Sequence, residues 1–232
     1  MHTIDICIPT MRSLSEVEAQ IAQIEATAEL PHRIIASCQP VSAAINRNFC
    51  LHVASSPIII MLDDDMEGFF PGWDVKLLEI FDVEPRAVMV SARLMSPQWK
   101  VGPSCARNGN LVPRWVEVFA AQDCLMPSAA IAFRNRGHRF DEGFVGSGWE
   151  DNDFCFKLLF GCRARRLVKE RVAKHYGLAL HDYLLAANVP RFYIDNACQL
   201  VHRNEMKEQF QGNRFAENRK HMYELWGIAS DG

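Results

Sequence analysis

The chain has no C-x-x-C pair, no internal repeat and no low-complexity tract. It also lacks any apolar run approaching the roughly 18 residues of a membrane-spanning helix. Each absence removes a class of protein. Eight cysteines (Cys7, Cys38, Cys50, Cys105, Cys124, Cys155, Cys162 and Cys198) are scattered without metal-ligand spacing, several in apolar contexts. They read as reduced core thiols rather than a zinc or disulfide framework, which points to a cytoplasmic location. A large excess of either charge is missing too: 25 Lys and Arg against 28 Asp and Glu leave a formal net charge of -3, so no global field recruits nucleic acid or an anionic membrane. The opening Met1-His2-Thr3-Ile4-Asp5-Ile6 carries no basic n-region and reaches an acid, then Pro9, too early for a signal peptide. What is present is 232 residues of 49% hydrophobic content, enough for one full core, and one domain over 1–232 is the expected count.

The informative feature is Asp63-Asp64-Asp65, which closes the apolar run Pro57-Ile58-Ile59-Ile60-Met61-Leu62. A β-branched run of that length reads as a buried strand. Crowded carboxylates raise one another's pKa unless a cation sits among them, so a divalent metal is the economical explanation, with an acidic surface turn as the plain alternative.

Upstream, strands are expected at Thr3–Ile8 and His32–Ser37. A helix is expected from a Ser15/Glu18 capping box to about Ala28, and a second over Ser42–Ala54. Strand, helix, strand, helix, strand at this rhythm predicts an α/β fold with a mostly parallel sheet flanked by helices. Ligands collect at the carboxyl ends of such strands, where the aspartates fall. A helix over Trp73–Phe81 and a strand over Ala87–Met95 follow. An aperiodic Ser96–Trp115 reads as a long mobile loop. Short strands are expected at Val116–Phe119, Ala129–Phe133 and Ala164–Leu167, a helix at Asp151–Phe160, and an amphipathic, partly irregular helix over Asn204–Trp226.

A second acidic segment, Gly146-Ser147-Gly148-Trp149-Glu150-Asp151-Asn152-Asp153-Phe154, enters the expected helix at 151. Acids in a first helical turn suit the macrodipole, so capping competes with catalysis as their role. Trp149 beside carboxylates suits a sugar ring, although a lone tryptophan also suits a core.

Several strings together resemble the successive motifs of family 2 glycosyltransferases with the GT-A fold. They are Ile6-Cys7-Ile8-Pro9-Thr10, Ala44-Ile45-Asn46-Arg47-Asn48, Ile60-Met61-Leu62-Asp63-Asp64-Asp65 and Gly148-Trp149-Glu150-Asp151-Asn152-Asp153. Pro71-Gly72-Trp73, Phe140-Asp141-Glu142 and Arg171-Val172-Ala173-Lys174-His175 match in order as well, over most of the chain. The resemblance implies a Rossmann-like central sheet with a small antiparallel acceptor-side sheet. It divides the chain into a nucleotide-sugar half, 1–95, and an acceptor half with a C-terminal helical tail, 96–232.

The function it implies is metal-dependent transfer of a sugar from a nucleotide diphosphate sugar to an acceptor hydroxyl, with Mn2+ or Mg2+ at the pyrophosphate. Asp65 would bind the metal, Asp63 would bind it or orient the ribose or a metal-bound water, and Asp64 would share either task. His175 stands where the family pattern puts a third ligand, with His181 and His202 as rivals. Pro9, Thr10, Arg12 and Ser37 would line the donor, and Arg47 would reach a phosphate. Gly148, Trp149 and Glu150 would build the acceptor side, and Asp151 would be the general base of an inverting reaction. The chain departs from the family after the second strand, where Ala36-Ser37-Cys38-Gln39 replaces the usual base-binding acid. A UDP-sugar is the family's usual donor, and this departure leaves the base open.

A basic run, Arg163, Arg165, Arg166, Lys169, Arg171 and Lys174, is either a solvated face or contact with an anionic acceptor, a nucleic-acid backbone among them. Two other readings compete with the transferase. A sugar nucleotidyltransferase needs a Gly-rich phosphate loop after the first strand, and Pro9-Thr10-Met11-Arg12-Ser13 is not one. A non-catalytic glycan-binding module would keep the fold without the chemistry.

Overall fold

A computed structural model describes residues 3–95, 114–118, 129–146, 148–158, 191–203 and 212–226. The strands are β1 (Ile4–Thr10), β2 (His32–Cys38), β3 (Ile58–Leu62), β4 (Met66–Glu67), β5 (Ala87–Met95), β6 (Trp115–Val118), β7 (Ala130–Arg134) and β8 (Arg191–His202). The helices are α1 (Leu14–Thr27), α2 (Ala43–Val53), α3 (Trp73–Leu78), α4 (Ile80–Val83), α5 (150–158) and α6 (Gly212–Trp226).

The strands form one mixed sheet in the order β2-β1-β3-β7-β5-β8-β4, with β6 also on β8. β1 pairs in parallel with β2 and β3, and β5 with β8, while β7 runs antiparallel between β3 and β5. Strands β1, β2, β3, β5 and β8 therefore all point one way, which makes the sheet mostly parallel. The antiparallel additions β4 and β6 extend this same sheet from β8.

Both faces of the sheet are covered, and the apolar alternation says by what. Ile58, Ile60 and Leu62 join Ile4, Ile6, Ile8, Ala130 and Ala132 on the face that holds Ile24 of α1, Trp73 and Leu77 of α3 and Ile80 of α4. Ile59 and Met61 point the other way, with Ile131 and Phe133, against Leu51 of α2, Phe154 and Phe156 of α5 and Met222 and Trp226 of α6. A strand buried on both sides must be apolar throughout, which is why β3 reads as an unbroken run. Among the described residues, no helix is long and apolar enough to cross a membrane.

Three local differences from the sequence expectations have physical causes. Helix α1 begins in the frame of Ser13 rather than Ser15, because Ser13 also has a glutamate three residues on: its amide donates to Glu16 Oε2 at 2.8 Å. The expected helix at Trp73–Phe81 breaks at Glu79 into α3 and α4. Strand β8 forms where the sequence shows no strand pattern, since Asp195 and Asn196 interrupt its apolar residues. The register against β5 shifts there, and buried Asp195 accepts from the Ala197 amide at 2.8 Å and lies 3.3 Å from Arg114 Nη2. The loop expected within Ser96–Trp115 lies almost wholly outside the described residues, as does the strand at Ala164–Leu167.

Candidate active site

The carboxyl ends of β1, β2, β3 and β8 meet at one edge of the sheet, and the three aspartates emerge there. The carboxylates do not face one another unrelieved; each has a partner. Asp63 Oδ1 lies 3.4 Å from Arg47 Nη2. Asp64 Oδ2 accepts a hydrogen bond from the Thr10 hydroxyl and lies 3.4 Å from Arg12 Nε. Asp65 Oδ1 lies 3.1 Å from His202 Nε2. Burial pushes the Asp64 carboxyl up, and its two neighbouring aspartates add to this, so that Thr10 and Arg12 only partly offset it. For His202, burial works downward, but the hydrogen bond and charge of Asp65, reinforced by Asp63 and Asp64, outweigh it and raise the imidazole above its ordinary value.

The Asp65–His202 approach follows from strand register. β4 lies antiparallel to β8 with Met66 opposite His202, and the Arg203 amide donates to the Asp65 carbonyl at 3.1 Å. The turn after β3 is thereby tied to the end of β8. As a result, ligand atoms of Asp63, Asp65 and His202 all lie within 4.8 Å of one another. Two carboxylate oxygens and an imidazole nitrogen are a donor set suited to Mn2+ or another divalent cation, and the three residues fit such an ion. His175 and His181, the other histidines considered, lie outside the described residues, as does the basic run 163–174. In the sequence His202 stands only as one of two rivals to His175, because the strand that delivers it has no clear apolar pattern.

The second acidic segment reaches the same edge through Arg47. This residue of α2 is 5% exposed, and its Nη1 donates to Glu150 Oε1 at 2.6 Å. Burial pushes Glu150 up and Asp151 adds to it, while Arg47 pulls in the opposite direction; the net direction is upward. Glu150 Oε2 is buried with no hydrogen-bond partner among the described residues. A carboxylate oxygen held in that way is an acceptor in want of a donor. Asp151, in the first turn of α5, is half-buried, with its Oδ1 accepting from the Asn152 amide at 2.8 Å. Asp153 faces the interior, between Trp226 Nε1 at 2.8 Å and Lys157 Nζ at 2.7 Å.

The remaining sequence candidates occupy defined places. Pro9 and Ser37 pair in register across β1 and β2. Ser37 is buried and donates to Asn46 Oδ1, while Asn46 Nδ2 donates to the carbonyls of Thr10 (2.6 Å) and Gln39 (3.0 Å). Asn46 thus knits the ends of the first two strands, a role the sequence did not suggest. Gly148 adopts a φ of 100°, and Trp149 packs against Phe215 and Tyr223 of α6 at centroid distances of 5.5 and 6.0 Å.

Among solved structures the chain is similar to GalNAc-T7, in a crystal structure with UDP, GalNAc and Mn2+, with a TM-score of 0.59 and 10% identity over 97% of this chain. The fold is GT-A-like. The chain spans about half of that structure, covering 48% of its length. No protein-family model matches the sequence, and no curated protein matches it. The GT-A-like arrangement accounts for the position of the site: the parallel strands β1, β3 and β8 end together, and what they carry at those ends converges.

Proposed function

We propose that this protein is a metal-dependent glycosyltransferase that moves a sugar from a nucleotide diphosphate sugar to an acceptor hydroxyl. The observation that carries the reading is the convergence of Asp63, Asp65 and His202 on one point at the carboxyl edge of a GT-A-like sheet, beside Glu150 and Asp151. Neither acidic segment alone would argue for transfer. Together they supply a cation site and a set of carboxylates for a hydroxyl.

Asp63, Asp65 and His202 would hold Mn2+ or Mg2+, with His202 rather than His175 as third ligand because it meets Asp65. When bound, the cation would neutralise the diphosphate and stabilise it as leaving group. Pro9, Thr10, Arg12 and Ser37, at the ends of β1 and β2, would line the nucleotide, and Asp64 orders that wall through Thr10 and Arg12. Arg47 would act mainly by holding Glu150 and Asp63 in relation to one another.

Glu150, through its unpartnered Oε2, would accept a hydrogen bond from an acceptor hydroxyl. Asp151, more open at the start of α5, would take the proton as that hydroxyl attacks the anomeric carbon, giving inversion. Gly148 and Trp149 would complete the acceptor side, and the whole of 1–232 would serve as one catalytic unit. UDP-GalNAc and other UDP-sugars are the first donors to try, since GalNAc-T7 was crystallised with UDP and GalNAc.

The test is a thermal-shift and calorimetric panel of nucleotide sugars with and without Mn2+. Mn2+-dependent binding of at least one nucleotide sugar, followed by transfer, is the expected result. No binding of any nucleotide in the presence of Mn2+ would overturn the reading.

A further inference from the structure

Helix α6 grips the second acidic segment from outside it, and Asn218 is the point of contact. This side chain is almost wholly buried. Its Oδ1 accepts from the Val145 amide at 3.0 Å, and its Nδ2 donates to the carbonyls of Val145 at 2.9 Å and Gly148 at 3.0 Å. A single amide thereby ties Val145 to Gly148.

The backbone is strained at Trp149, just past this tie. Gly146, Gly148 and Trp149 have φ values of 70°, 100° and 73°, and Trp149 is the one non-glycine residue with positive φ among the described residues. A bulky L-residue keeps that conformation only where its surroundings impose it. The surroundings here are α2 and α6: the Ala43 amide donates to the Gly146 carbonyl at 2.9 Å, and the Phe215 ring lies so close over Gly148 that a Cβ there would come within 3.0 Å of it. Glu150 and Asp151 follow Trp149 directly, so the path of the turn decides where both carboxylates point.

We propose that Asn218 is a positioning residue for the acceptor half of the site. By holding the Val145 and Gly148 carbonyls it imposes the turn that delivers Glu150 to Arg47 and presents Asp151 at the sheet edge. The inference rests on the glycosyl-transfer reading above and adds to it a residue distant in sequence from both acidic segments. Asn218 touches neither reactant; its influence passes through backbone.

The decisive variant is Asn218→Asp, which keeps size and the acceptor for the Val145 amide but cannot donate to the two carbonyls. Asn218→Ser is a milder second variant, and Mn2+-dependent UDP binding reports that each is folded with an intact donor side. With the nucleotide sugar that binds best and a panel of simple glycosides as acceptors, kcat for transfer should fall by about 100-fold, as for a misplaced catalytic group. UDP affinity in Mn2+ should not change. Amide hydrogen exchange at 145–150 should accelerate relative to β1 and β3. Undiminished transfer in Asn218→Asp, or transfer and UDP affinity falling together in both variants, would overturn the proposal. Failure of the unaltered protein to bind any nucleotide with Mn2+ would instead sink the functional reading on which it rests.

Discussion

Arg47 Nη1 lies 2.6 Å from Glu150 Oε1 across 103 residues of sequence, and both side chains are almost fully buried. A pair withdrawn from water in this way is held by mutual attraction against a desolvation cost of similar size, so the loss of one partner matters more than the loss of both. Arg47→Met, which strands Glu150, should destabilise the protein by about 3–5 kcal/mol. The double variant Arg47→Met/Glu150→Leu should recover much of that stability while losing transfer. Urea unfolding monitored by tryptophan fluorescence measures both. Equal stability of the single and double variants would mean that the pair is not coupled.

The division of labour proposed for the two acidic segments predicts two distinct losses. Asp65→Ala and His202→Ala should weaken Mn2+ binding, and with it UDP binding, by at least the order of 10- to 100-fold seen for disturbed metal sites. Asp151→Asn should spare both and abolish transfer. Calorimetry with Mn2+ and UDP, paired with a transfer assay, separates these outcomes. His175→Ala is the comparison for the third ligand: a loss there, with none in His202→Ala, would return that role to His175.

Asp153, although in the same acidic string, faces the core between Trp226 Nε1 and Lys157 Nζ. Asp153→Ala would leave the buried Lys157 charge without that carboxylate and should cost about 3–5 kcal/mol of stability. The effect should appear as a lowered unfolding midpoint at any metal concentration. A variant of normal stability that lost only activity would move Asp153 into the reaction chemistry.

Asp5 supplies a pH signature away from the site. Burial alone would push its carboxyl up, but the Arg33 guanidinium, at 2.9 Å, and the Ser55 and Ser56 amides, at 2.6 and 2.8 Å, outweigh burial and hold it below the ordinary value. A carboxyl depressed in the folded state stabilises the fold above its unfolded pKa of about 3.9, and that stabilisation is lost as pH falls through the lower folded value. Asp5→Asn should therefore be less stable than wild type at pH 7, with the difference shrinking below about pH 4. Denaturant unfolding at pH 7 and pH 3 checks this; a gap that widened in acid would contradict it.

Local periodicity made the first half of the fold legible. The run Ile58–Leu62 must be apolar on both faces because helices cover both, and a strand of that kind is visible in the residues themselves. The alternation of strands and helices then required parallel neighbours, which placed Asp63-Asp64-Asp65 at a carboxyl edge. Strand β8 was hidden, since its bulge at Asp195 and Asn196 looks like a loop in sequence although Asp195 is buried.

The sequence by itself determined which residues are acidic, which strand carries them and at which end. Only the tertiary structure decided their partners: Arg47 for Asp63 and Glu150, Thr10 and Arg12 for Asp64, His202 for Asp65. The reason is physical. Strand and helix periodicities are written within a few residues, whereas the β4–β8 register and the seating of α2 against α5 arise from burial shared by segments far apart in the chain. Those distant pairings bring two acidic strings to one edge of the sheet.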